Sequence, residues 1–159
     1  MTAVDDRTTV EVITTRAAAG TSWLLGLGFG IPGAIGAEHL RRTGGIWTFM
    51  GFPTYGPGEF AEWGVRTTVP LILGFVGVCA AEVVVGTLLW RRRTMRIGRV
   101  GALVLLPFEF VFWIGFRLPF GPPLGLTRTV LVIAGWIAAR RGRERGSQPA
   151  GVPGGGRRS

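Results

Sequence analysis

Residues 80–99 read Ala-Ala-Glu-Val-Val-Val-Gly-Thr-Leu-Leu-Trp-Arg-Arg-Arg-Thr-Met-Arg-Ile-Gly-Arg, and no other stretch restricts the possible folds as much. An apolar run carrying one carboxylate, Glu82, closes on Trp90 and then meets five arginines. Tryptophan favours the membrane–water boundary, and clustered arginines stay on the cytoplasmic side during insertion. The segment therefore marks a helix exit, a membrane face and an acid placed among hydrocarbon.

The rest of the chain repeats the pattern. Residues 17–37 carry no charge and have the length of a bilayer span. Further apolar runs at 67–90, 100–116 and 124–139 give an all-α, four-helix transmembrane bundle. Mean hydropathy is positive, and 27 glycines in 159 residues suit packed membrane helices better than a soluble domain. Gly26 and Gly30 form a GxxxG pair that permits close helix approach. Pro32 is expected to kink the first helix or end its regular part. Residues 43–66 interleave aromatics with turn formers, so they are expected to lie in the interface or to cap the bundle.

Residues 1–16 read as a polar cytosolic lead-in, and residues 140–159 as a disordered, basic cytosolic tail rich in glycine and proline. The first residues are acidic where a secretory signal carries positive charge, so the first apolar run is expected to remain as an anchor. The basic side chains other than His39 are all arginine, and apart from Arg128 those near the apolar runs sit at their ends. The net charge of +9 is thus a topology signal, not a nucleic-acid surface. Placing both termini and the turn after Trp90 in the cytosol puts most arginines inside. This gives an N-in, C-in, multi-pass protein of a cell membrane, with a bacterial plasma membrane as the expected location.

Chemistry-bearing residues are few. Cys79 stands alone, so neither an intrachain disulfide nor a cysteine metal motif exists. His39 has no second histidine to complete a metal site, and no metal is expected. Gly28, Gly30 and Gly33 fit GxGxxG literally, but no strand precedes them. There is no Ser/His/Asp set, and no cofactor motif is evident.

What remains is a set of charges in the membrane. Counted from the cytosolic ends, Glu82 is about 13 Å deep, Glu109 about 15 Å and Arg128 about 18 Å. Three separate counts converge near mid-bilayer, where a lone ion costs at least about 2.5 kcal/mol. These residues are therefore expected to meet between helices two, three and four. Gly86, one turn from Glu82, and Gly135, two turns from Arg128, would let the backbones approach there. The cluster could be a structural ion pair, the lining of a pocket for a lipid, quinone or other lipophilic ligand, or a proton relay.

The passage Ala-Ala-Glu82-Val-Val-Val-Gly86-Thr-Leu88-Leu89, a short basic turn and Gly-Ala-Leu-Val-Leu-Leu resembles the second-to-third helix passage of DoxX-like membrane proteins. The first helix followed by Gly-Ile-Trp-Thr-Phe-Met-Gly-Phe-Pro resembles the same family, and the likeness covers about residues 17–116. It implies a four-helix bundle associated with membrane redox complexes and quinone-linked oxidation. The family's lysine after the first helix is missing, with only Glu38, His39 and Arg41 there, and the turn is richer in arginine. Glu82 and Gly86 alone transfer as family-like positions. The expected role is an accessory or redox-associated subunit without autonomous catalysis, in contact with lipid and with a redox partner or further copies of itself. The alternatives are a small enzyme using Glu82 and Glu109 as acid and base on a lipid or isoprenoid, and a small transporter or proton relay.

Overall fold

The computed structural model describes residues 3–49, 51–56 and 58–146, without the side chains of residues 3–8, 52 and 142–146. The described chain is built almost wholly of helix. In order come α1 (Ala3–Thr43), β1 (Thr48–Phe49), β2 (Phe52–Pro53), α2 (Glu59–Glu62), α3 (Val69–Trp90), α4 (Met95–Gly115) and α5 (Gly121–Gly146). The two short strands form one antiparallel ladder, with Phe49 opposite Phe52. Four helices are long and apolar enough to cross a membrane: Thr9–Thr43, Val69–Trp90, Met95–Gly115 and Gly121–Arg141.

Helix boundaries differ from the sequence expectation at both ends. Of the region read as a lead-in, residues 3–16 form the start of α1, which runs for 41 residues, and residues 1–2 lie outside the described residues. At 1.5 Å per residue that is about 60 Å, roughly twice a hydrocarbon core. The helix also continues through Pro32 to Thr43. α5 begins at Gly121, ahead of the expected Leu124, because Pro122 and Pro123 occupy the first turn, where no helical donor is needed. Its other end extends to Gly146, so residues 140–146 are helical where a disordered tail was expected. The remainder of that tail, 147–159, lies outside the described residues. α3 opens on Thr68, whose hydroxyl accepts from the Leu71 amide at 3.4 Å, with Pro70 in the first turn. α4 starts one turn earlier than expected, since the basic turn occupies only residues 91–94.

Each long helix turns one stripe inward at alternating spacings of three and four residues. On α3 the stripe is Ile72, Phe75, Cys79, Glu82, Val85/Gly86 and Leu89; on α5 it is Gly121, Gly125, Arg128, Val132 and Gly135. That spacing is the seam of helices packed at shallow angles. α1 packs on α3 and α5, and α4 packs on the same two, so α3 and α5 occupy opposite corners of the bundle. The outer faces carry Leu24, Leu27, Ile31, Leu73, Val84, Val104, Phe108, Val111 and Ile133, all exposed. Apolar residues outside and charged ones inside is an arrangement made for lipid.

The α1–α3 contact is the most extensive. A Cβ at Gly26 would meet the Cys79 carbonyl oxygen at 2.6 Å, and one at Gly30 would meet the Cys79 Cβ at 3.0 Å. Gly33 faces Val76 one turn further on. Spacing by four and three brings these glycines onto one face, so backbone lies on backbone.

At the end of the bundle away from the start of α1 and the finish of α5, the α1–α3 connection folds over the helices. Tyr55 is buried, and its hydroxyl donates to the Phe29 carbonyl at 2.6 Å. It packs between Phe75 and Phe116, and Phe60 lies edge-on to Phe112 and Phe116. Burial pushes the Tyr55 hydroxyl above its ordinary range, so it remains a donor. Arg117 holds this cap from outside, donating to Glu59 at 2.9 Å and Glu62 at 2.6 Å. Phe49 and Trp63 stay exposed, so the segment caps the bundle while part of its aromatic surface remains uncovered.

Candidate functional site

Glu82, Glu109 and Arg128 meet inside the bundle. Each comes from the inward stripe of its helix, and they are 2%, 1% and 0% exposed respectively. Arg128 projects from α5 across the bundle. Its Nη1 donates to Glu109 Oε1 and its Nη2 to Glu109 Oε2, both at 2.9 Å, and Nη2 also donates to the Ala102 carbonyl at 3.1 Å. Glu82, from the opposite corner, forms an ion pair with Arg128 Nη1.

The arrangement is unequal. Glu109 takes a two-pronged bond from the planar guanidinium, the strongest geometry such a pair offers. Neither Glu82 oxygen has a hydrogen-bond partner among the described residues, and Arg128 Nε is likewise unsatisfied. One cation thus faces two acids. Ser22 of α1 is fully buried, and its hydroxyl also has no partner among the described residues. It sits level with Glu82, because Gly26 above it meets Val83 and Ala19 below it meets Gly86. All four helices therefore contribute one polar side chain to a single layer. Proton exchange and ion pairing are the chemistry such a set can perform.

The glycines expected to serve this cluster serve another contact. A Cβ at Gly86 would meet the Trp23 ring at 2.8 Å and the Ala19 carbonyl at 3.0 Å, both on α1. A Cβ at Gly135 would meet the Thr15 and Thr14 hydroxyls at 2.9 and 3.1 Å, again on α1. The physical reason is the bundle's layout. α3 and α5 stand at opposite corners and both pack on α1, so their small residues face that helix. Arg128 is long enough to bridge the gap between α3 and α5.

A second buried ion pair was missed from the sequence. Arg99, read as the last cytosolic residue of the basic turn, is 4% exposed. Its Nη2 donates to Glu11 at 2.8 Å and to Thr15 at 3.1 Å. The signal available was position: α4 has begun by Met95, so Arg99 already lies one turn inside. The depth count for Glu109 therefore started from a residue that is itself covered. Elsewhere, Cys79 is buried against α1, and Glu38, beside His39, pairs with Arg41 at 2.8 Å and with Arg42. No group of three or more His, Cys, Asp or Glu positioned for a metal occurs among the described residues.

Fold and site together define a multi-pass integral membrane protein with a charged layer inside its helix bundle. Comparison with protein-family models, curated proteins and solved structures finds no match.

Proposed function

We propose that the protein is a non-catalytic, DoxX-like integral membrane protein, an accessory subunit of a membrane assembly. The observation that carries this reading is the closed, two-pronged Arg128–Glu109 pair, with its members 0% and 1% exposed. A general acid or base must come within hydrogen-bond reach of the proton it moves, through substrate or water. Glu109 is instead committed to a neighbouring helix. Its partner fixes the rotation of α4 against α5, a registry role for buried charge. Glu82 and Gly86 of α3 are the family-like features that support the DoxX-like assignment, and association with a redox complex follows from that assignment alone. The test is mild detergent extraction followed by native mass spectrometry. Stoichiometric protein partners support the accessory role, whereas turnover of a lipid or isoprenoid by the isolated chain overturns it.

One observation favours a second reading, a proton relay. Glu82 and Ser22 hold unsatisfied buried oxygens in the same layer. Glu82 shares its cation with Glu109, so a proton on one of the two acids would balance the set, and the Ser22 hydroxyl is available in the same layer to exchange it. Proton flux through protein reconstituted in sealed vesicles, abolished by Glu82→Gln, would support the relay; flux equal to that of empty vesicles removes it.

A further inference from the structure

A different part of the molecule carries a binding site. At the bundle end where α1 begins and α5 finishes, Arg96, Arg99, Val100, Trp136 and Arg140 line a cleft of about 320 Å³ between α4 and α5. Beside it runs an apolar groove of about 460 Å³ along α4, lined by Arg96, Ile97, Val100, Gly101 and Val104. Arg96 and Val100 belong to both, so a basic cleft adjoins a shallow, open apolar groove that follows α4 toward mid-bundle.

The charges suit an anion. Arg99 is balanced by Glu11, but Arg96 and Arg140 have no carboxylate partner among the described residues. Arg140 is held over the Trp136 ring, 5.3 Å from its centroid, which fixes its guanidinium at the rim. The Arg99 side chain is buried, and its Nε has no hydrogen-bond partner among the described residues. One buried donor of the cluster, Arg99 Nε, is thus free of any acceptor among the described residues, while Arg96 and Arg140 are exposed at the rim.

We propose that this cleft binds one anionic membrane phospholipid, its phosphate between Arg96 and Arg140 and an acyl chain in the Ile97–Val104 groove. Basic pockets between helices at a membrane face are suited to such headgroups. Free inorganic phosphate satisfies the arginines but leaves the adjoining groove empty, and a zwitterionic lipid brings a cation into a basic cleft. The combination of basic cleft and apolar groove selects an amphiphile with net negative charge.

The experiment uses the full chain in detergent micelles, titrated with phosphatidylglycerol, phosphatidylcholine or inorganic phosphate. Thermal midpoints and native mass spectra are recorded for each. Phosphatidylglycerol should raise the midpoint and persist as a one-to-one adduct, while the other two should do neither. R96Q/R140Q should weaken phosphatidylglycerol binding roughly fivefold for each arginine removed. R91Q/R93Q, which removes the same charge from the neighbouring turn, should bind as the parent does. Val104→Trp, which fills the groove, should weaken the lipid alone. All of these side chains are exposed, so an unchanged midpoint without lipid establishes that each variant folds. Equal binding of the two lipids, equal losses in the two double variants, or equal stabilisation by inorganic phosphate would overturn the proposal.

Discussion

At the scale of single residues, Arg128 is the side chain on which most depends. Arg128→Leu removes the only ion-pair partner that either Glu82 or Glu109 has among the described residues, leaving two buried acids. Breaking one side of a buried pair costs about 3–5 kcal/mol, to be read as a lowered unfolding midpoint in detergent. Glu109→Gln in the same background should recover part of that loss, because fewer charges then stand unpaired. Strictly additive losses in this double-mutant cycle would show that the two side chains do not interact energetically. Tyr55→Phe is a milder probe. It deletes the bond to the Phe29 carbonyl while retaining the ring packing, so about 1 kcal/mol should be lost. The intramembrane charges were legible in the sequence because they interrupt apolar runs at matched depths. Their partner choice was not, since nothing in a one-dimensional count says which acid receives the guanidinium fork. The Glu11–Arg99 pair escaped for a plainer reason, being 88 residues apart and joining two segments read as cytosolic.

Elements show what small residues and loops do. Gly26 and Gly28 lie on opposite faces of α1: a methyl group at the first would strike the Cys79 backbone, and one at the second would meet nothing within 4 Å. Gly26→Ala should therefore lower stability by about 1–3 kcal/mol as α1 is pushed from α3. Gly28→Ala should raise it by up to about 1 kcal/mol through helix propensity alone. If both changes act alike, the α1–α3 contact is not as drawn. The cap over the other end has an acid-sensitive fastening. The Arg117 guanidinium bonded to Glu59 holds that carboxyl below its usual range. A group depressed in the folded state adds stability above its unfolded value, near pH 4, and loses it as pH falls through the folded value. Wild type should accordingly lose stability on acidification relative to Glu59→Gln, and an identical pH profile for the two would remove the fastening. The first turns of α1 show where sequence reading failed. Val-Glu-Val-Ile-Thr-Thr is rich in β-branched residues, weak helix formers in isolation. Packing of Thr15 against Gly135 and pairing of Glu11 with Arg99 supply support that local propensity does not.

For the whole molecule, the four-helix architecture was readable because each span announces itself by length, hydropathy and a basic terminus. Helix order around the bundle was not readable, and it decided which glycines touch which helix. Arginine asymmetry predicts that the turn after Trp90 faces the cytosol and the Tyr55 cap faces away. Reporter fusions at Arg96 and Tyr55 should report opposite compartments; the same compartment for both would remove the four-span arrangement. The crossing of Arg128 from α5 has a further consequence, in the order of synthesis. Both acids leave the ribosome before the base that answers them, so the α3–α4 hairpin reaches the bilayer as an unfinished charge set. Until α5 follows, that hairpin must be sheltered by the insertion machinery or carry its acids protonated. A chain stopped at residue 120 should therefore be poorly retained in the membrane and rapidly degraded, while the same truncation carrying Glu82→Gln and Glu109→Gln should persist. In this protein the last helix is the step that makes the earlier ones permanent.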